Sequence, residues 1–273
     1  MGSAAKIIAD SISVTTGERL TTMEVVTHRF VLAEFNTHRV FSRNSASSRA
    51  IPVAKMLERV QLDPALPLSW PREQSGMQGG DALSLDEQAV AEGWWLEARD
   101  AALDCARGLV AHGLHKSVVN RLLEPFLWHT IIVSSTEWEN FFVQRCSPLA
   151  QPEIRVTAEL MREALDNSEP VKLAPGDWHL PYITAEDLEA CALVGADPRQ
   201  VSVARCARVS YLTHDGARDP RVDVGLYIKL CSADPPHWSP LEHVATPTIA
   251  GIETPGNFTG WDQLRHYVYN GSN

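Results

Sequence analysis

The sequence predicts an α+β domain in which helices pack on a small mixed or antiparallel sheet. Three observations carry this. Residues 10–26 set two β-branched runs on either side of a Thr-Gly-Glu turn, the pattern of a hairpin. Ser84-Leu-Asp-Glu87 is a capping box, and Thr184-Ala-Glu-Asp187 opens a second helix in the same way. No segment repeats at a fixed period, so solenoids and propellers do not fit.

Taken in order, the hairpin gives way to a helix over 28–40, capped by Thr27, with Phe30, Ala33 and Thr37 on one face. The Ser- and Asn-rich stretch 41–52 reads as loop, because such side chains compete for backbone hydrogen bonds. Residues 61–82, with their prolines and glycines, read as an irregular surface loop. A long helix then runs from Ser84 to Gly113, with Trp94, Trp95, Ala98 and Ala102 as its apolar stripe. A second covers 115–131 and is kinked at Pro125. Helical patterns follow over 137–145 and 152–165. Residues 167–181 read as a linker, and 200–211 as a helix running into a strand. A helix over 220–232, a loop, the strand 244–249 and an amphipathic segment 258–269 complete the chain.

At 273 residues the chain is long enough to bury about three quarters of its unfolded surface. No run of about 18 apolar residues occurs, so no membrane span is expected, and the N-terminus lacks the apolar stretch of a secretory signal. Five widely spaced cysteines without a Cys-x-x-Cys pair point to a reduced, cytoplasmic protein. The net charge of −10 argues against a protein that coats nucleic acid. That charge is unevenly spread. Between His28 and Lys55 the segment carries +4, from Arg29, Arg39, Arg43, Arg49 and Lys55 against Glu34.

Several candidate sites lie along the chain. Cys231, His237 and His243 are metal-ligand types, but their five-residue gaps do not suit a zinc site, and no metal is expected. No Gly-rich phosphate loop and no nucleophile elbow is present. Trp94-Trp95 reads as core or interface. The stretch 37–49, THRVFSRNSASSR, is more informative: arginines, a histidine and four serines fall within 13 residues. Backbone N–H groups, hydroxyls and a guanidinium make a phosphate cradle. The same residues also suit a solvated polar loop.

This stretch resembles the signature of the flavin-dependent thymidylate synthases, Arg-His-Arg, two residues, Ser, four residues, Ser-x-Arg. His38-Arg39, Ser42, Ser47 and Arg49 match in register, while Thr37 replaces the first arginine. Four further segments resemble that family: VNRLLEP at 119–125, NFFVQR at 140–145, ARVS at 207–210 and HWSPLEH at 237–243. The last two precede the signature in most members and follow it here, so the chain resembles a circularly permuted member. The resemblance covers most of 24–155 and 200–248 and implies one domain over 1–273. Within it, 24–155 is the signature and helical part, 156–199 a linker or insertion, and 200–273 the permuted strand and helix part.

The resemblance implies conversion of dUMP to dTMP with FAD, methylene-tetrahydrofolate as carbon donor and NADPH as reductant, in a homotetramer with shared active sites. Hydroxymethylation of dUMP or dCMP at C5, and a nucleotide-binding homologue without catalysis, are the alternatives. It implies Arg145 and Arg121 as the catalytic, substrate-contacting arginines, and a nucleotide loop of Ser45, Ser47, Ser48 and Arg49. It implies a flavin face of His38, Arg39, Val40, Ser134, Asn140, Ser210, His237, Ser239 and Glu242. Four further positions depart from the family: Glu34 stands for a glutamine, Ser45 for a glutamate, and Ser134 and Thr136 for an asparagine and an arginine. The expectation is that Gln263 and Arg265 replace the groups lost at Glu34 and Thr37.

Overall fold

The computed structural model describes residues 2–214, 216, 218–249 and 256–269. Met1 and 270–273, the ends of the expected single domain, lie outside the described residues. The first hairpin consists of β1 (Ala4–Ser13) and β2 (Arg19–His28). Then come α1 (Leu32–Asn36), β3 (Ser42–Ser45), α2 (Val53–Leu62), α3 (Leu85–Ala111), α4 (Lys116–Val119) and β4 (Trp128–Ser135). They are followed by α5 (Glu139–Arg145), α6 (Pro152–Asp166), β5 (Val171–Leu173), α7 (Ala185–Val194), α8 (Pro198–Arg208) and α9 (Pro220–Cys231). The last elements are β6 (Ala245–Pro247), β7 (Trp261–Gln263) and α10 (Leu264–Tyr269). Among the described residues no helix is long and apolar enough to cross a membrane.

Five strands form a mixed sheet in the order β3-β4-β2-β1-β5, antiparallel except for the β1–β5 pair. β6 and β7 pair separately, and His179 pairs with Ala245 at their side. One face of the sheet, through Met23, Val25, Ile131 and Val133, packs on Phe35, Phe41, Trp138, Phe141, Ile154 and Met161. The opposite face sets Ile132 against Cys206 and Val209. A second core, under α2 and α3, gathers Met56, Val60, Leu103, Ala106, Val119 and Leu123.

Local chemistry explains the helix starts. The Ser84 hydroxyl accepts from Glu87 N, and the Glu87 carboxylate accepts from Ser84 N at 2.9 Å. Thr184 and Asp187 repeat the arrangement at α7, which ends on Gly195 with φ 67°. Pro opens α6, α8 and α9, where its missing N–H is no loss.

Other expectations are corrected. Thr27 lies in β2, bonded to the Thr157 hydroxyl, and caps nothing. The helix over 28–40 shrinks to a 3₁₀ turn at 29–31 and α1, whose inward residues are Val31 and Phe35, while Ala33 is exposed. Residues 42–45 are strand, because β4 offers them a partner ladder. The region 115–131 breaks into α4, a 3₁₀ turn holding Pro125, and the start of β4. Residues 209–211 are a 3₁₀ turn, not a strand. Residues 167–181 include β5, which joins the sheet. Trp94 is 68% exposed, so the inward stripe of α3 runs through Trp95, Leu103 and Ala106. The loop 61–82 is tied down: His28 Nε2 bonds Leu66 O at 2.8 Å, and the buried Glu153 carboxylate accepts from Leu68 N at 2.7 Å.

Candidate active site

The site is built around β3 and the turn that follows it. Alternation along the strand sends Ser42 and Asn44 inward and leaves Arg43 and Ser45 half-buried. Beyond β3, Ala46 N and Ser47 N donate to Thr130 O and Ser210 O, both at 2.9 Å. Ala50 N and Ile51 N then fold back on Ser47 O at 2.9 and 3.1 Å. Asn120 Nδ2 clamps the turn through Ser48 O and Ile51 O, and Lys116 Nζ holds Ala50 O. Among the described residues the N–H groups of Ser48 and Arg49 have no protein acceptor. Two unclaimed donors on a rigid turn are what an anion needs.

The turn borders a cleft of 370 Å³ lined by Arg29, Arg43, Ser45, Ser47, Ser48 and Arg121, with Ser210 at its side. Glu124 holds two of these guanidinium groups: Arg121 Nη1 at 2.7 Å and Arg29 Nη2 at 3.2 Å. Arg29 Nη1 also donates to His129 Nε2 at 3.1 Å. Burial, with Arg29 and Arg59 nearby, pushes the His129 imidazole down to about 3, so it is a neutral acceptor. Three arginines against one carboxylate leave the cleft cationic.

Arg145 is not among the cleft's lining residues. It ends α5, and its Nε donates to His38 Nε2 at 3.0 Å. Its Nη2 donates to Thr37 Oγ1 at 3.0 Å and to Glu34 O at 3.2 Å. The buried His38 ring meets Phe141 edge-on at 4.9 Å and stacks on Phe41 at 5.8 Å. Burial, then the charges of Arg145 and Arg43, push it down to about 4.

The segments 207–210 and 237–243 meet at Asn44. Its Nδ2 donates to Cys206 O at 2.7 Å, and its Oδ1 accepts from Ser210 Oγ at 3.3 Å and Ser239 Oγ at 3.4 Å. Arg39, Val40, Arg49, Asn140, His237 and Ser239 are exposed. Ser134 is fully buried within β4, bonded to Thr22 and His243 hydrogen-bonding atoms, so its hydroxyl presents nothing to a flavin. Gln263 is 1% exposed and donates to Ser42 Oγ and Glu242 O. Arg265 Nη1 holds Glu242 Oε1 at 2.5 Å. In this arrangement the guanidinium beside Thr37 is that of Arg145, while Gln263 and Arg265 engage Ser42 and Glu242. Sequence reasoning missed Arg29, Arg43, Asn44 and Glu124 as site residues. The charge excess of 28–55 already contained Arg29 and Arg43, and is the signal that pointed to them.

Fold and cleft together define an α+β domain with a cationic cleft beside its sheet. A sequence profile described as thymidylate synthase complementing protein matches residues 18–171, more than half of the chain. The chain therefore belongs to that family, the flavin-dependent thymidylate synthase-like enzymes. The match takes in β2 to α6 and leaves 172–273 outside. Among solved structures the chain is similar to thymidylate synthase X from Helicobacter pylori with FAD and dUMP, at 17% identity and TM-score 0.37. That alignment covers 54% of this chain and 67% of that one. It is also similar to the UMP/dUMP methylase PolB from Streptomyces cacaoi bound with 5-Br UMP, at 14% identity and TM-score 0.47, over 60% and 88% of the two chains. No curated protein matches.

Proposed function

We propose that the enzyme methylates dUMP at C5 to give dTMP, with methylene-tetrahydrofolate as carbon donor and NADPH as reductant. The observation that carries this reading is the Ser47–Ile51 turn, whose Ser48 and Arg49 N–H groups have no protein acceptor among the described residues, beside a cleft lined by Arg29, Arg43 and Arg121. A nucleotide phosphate fits there, on Ser48 N, Arg49 N and the Ser47 hydroxyl, with Arg49 and Arg121 as counter-charges. Ser47 is a binding group, because no base beside it activates the hydroxyl as a nucleophile.

Arg145 carries the ring-side role: a fixed guanidinium at a ring carbonyl stabilises negative charge as the pyrimidine accepts a carbon. A homo-oligomer, a tetramer with active sites shared between subunits, is part of this reading. The donor set fits FAD in part. Arg39 and His237 offer donors for its phosphates, Val40 an apolar face, and Asn140, Ser210, Ser239 and Glu242 polar groups, whereas the Ser134 hydroxyl is buried and already paired. Reduced flavin, when bound, supplies the hydride. A circular permutation is part of this reading, supported by the return of 207–210 and 237–243 to β3. So is a cytoplasmic location, supported by five free cysteines.

Hydroxymethylation of dUMP or dCMP is the second reading, and one observation favours dCMP as its substrate. Glu34 Oε2 is buried without a hydrogen-bond partner beside the Arg145 cluster, where a carboxylate accepts from an exocyclic amine and cannot donate to a carbonyl. Incubating the purified protein with methylene-tetrahydrofolate and dUMP or dCMP, with and without NADPH, separates the readings. A methyl mass gain on dUMP that needs NADPH supports the first. A hydroxymethyl product without NADPH replaces it with the second. A colourless protein that binds nucleotide and turns nothing over is a homologue without catalysis.

A further inference from the structure

We propose that His38 and Thr37 are positioning residues for Arg145, holding its guanidinium in one plane with its Nη1 edge turned outward. The functional consequence rests on the reading of Arg145 as the ring-side arginine. A guanidinium carries five N–H donors in a rigid fork. Three acceptors from one short stretch of chain take three of them: His38 Nε2 at 3.0 Å, Thr37 Oγ1 at 3.0 Å and Glu34 O at 3.2 Å. Among the described residues Nη1 has no protein acceptor, so its two donors are left for a ligand oxygen.

Proton placement follows from the donors. Arginine accepts no hydrogen bond, so His38 Nε2 presents its lone pair and the ring proton sits on Nδ1. An imidazolium there would face Arg145 from α5 and Arg43 from β3, whose Nη1 bonds His38 O at 3.2 Å. Burial between Phe41 and Phe141 works in the same direction, and the ring's pushed-down pKa of about 4 agrees. Thr37 completes the clamp. Its hydroxyl donates to Glu34 O at 2.7 Å and accepts from Arg145 Nη2. An arginine at 37, as the family signature has it, offers no acceptor and brings a second guanidinium to the same place. The departure at Thr37 and the pose of Arg145 are thus one feature.

Nitrogen-15 NMR of the full chain tests the clamp without any turnover. The expected result is a neutral Nδ1–H imidazole at His38 from pH 5 to pH 8 and a slowly exchanging Nε–H at Arg145. An Nε2–H tautomer, or a His38 titration near its ordinary value, overturns the proposal. Kinetics test the consequence. His38→Ala and Thr37→Val are expected to lower kcat more than they raise KM, by about 100-fold and about 10-fold, the scale of losing a held geometry. His38→Gln, which keeps an acceptor and tests folding, is expected to restore most of kcat. In an Arg145→Ala background neither loss should recur. Losses that persist there in full overturn the positioning role. An inactive wild-type enzyme with the clamp resonances intact rejects the reaction and leaves the clamp standing.

Discussion

Arg121 is the residue on which nucleotide binding should depend most directly. Its guanidinium is half exposed at the cleft and shares Glu124 with Arg29. Removing it leaves Glu124 half paired and takes away a charge-assisted donor, a loss of about 1.5–3 kcal/mol. Arg121→Ala is therefore expected to raise the KM for dUMP about 10- to 100-fold at 1.4 kcal/mol per decade, with the unfolding midpoint unchanged. Steady-state kinetics with a denaturation control check this. Glu34→Gln acts differently. It replaces a carboxylate oxygen that is buried without a partner, so the change is expected to stabilise the fold by about 1 kcal/mol in urea denaturation. It is also expected to raise the preference for dUMP over dCMP, since an amide donates to a carbonyl oxygen; an unchanged ratio would remove Glu34 from the base-reading site. The candidate site was legible in the sequence where it is linear, through His38, Arg39, Ser47 and Arg49. Its pairings were not. Arg29 meets Glu124 across 95 positions and Arg145 meets Thr37 across 108, separations that no local spacing encodes.

Elements obeyed the sequence where their causes are local. The capping boxes at Ser84 and Thr184 and the N-terminal prolines of α6, α8 and α9 set helix starts through adjacent groups. Ser84→Ala is accordingly expected to cost about 1 kcal/mol, read as a lower urea midpoint and faster amide exchange in the first turn of α3. No loss would mean that the loop side, through Arg72 and Glu87, holds the end alone. Elements set by tertiary partners were not legible. β4 buries Ile131, Ile132 and Val133 on both sheet faces, so it lacks the alternation that marks a half-exposed strand. Residues 201–207 are all buried, which hides helical periodicity in the same way. β3 has little strand propensity and is strand because β4 pairs with it. The Asn44 side chain then fixes where the C-terminal third attaches. Asn44→Ala removes a side-chain donor from Cys206 O and the acceptor of two hydroxyls and is expected to lower stability by about 1 kcal/mol.

At the scale of the whole molecule, the acid response is set by histidines rather than carboxylates. His129, His179 and His243 are buried, and burial pushes each imidazole from 6.5 to about 3. His179 bonds Ser11 and Thr22, and Thr22 and His243 share Ser134, so a continuous polar chain crosses the sheet with both rings neutral. The sign follows from linkage. Folded values lie below unfolded ones, so the unfolded chain takes up protons first as pH falls through 6.5, and the folded state loses stability from there down to about 3. Each ring contributes up to about 1.4 kcal/mol per pH unit in that window. The paired carboxylates work with the same sign but later. Asp10 is held below its ordinary 3.8 mainly by Arg19 and Ser168 against the opposing effect of burial, so its share is lost only below about pH 4. A urea midpoint that is level from pH 8 to 7 and falls steeply between 6.5 and 5 is therefore expected. His179→Gln, which keeps hydrogen-bonding groups but cannot titrate, should make that fall shallower even where it lowers the midpoint at pH 8. A midpoint level down to pH 5, or a fall unaltered by that substitution, would assign the acid limb to the carboxylates instead.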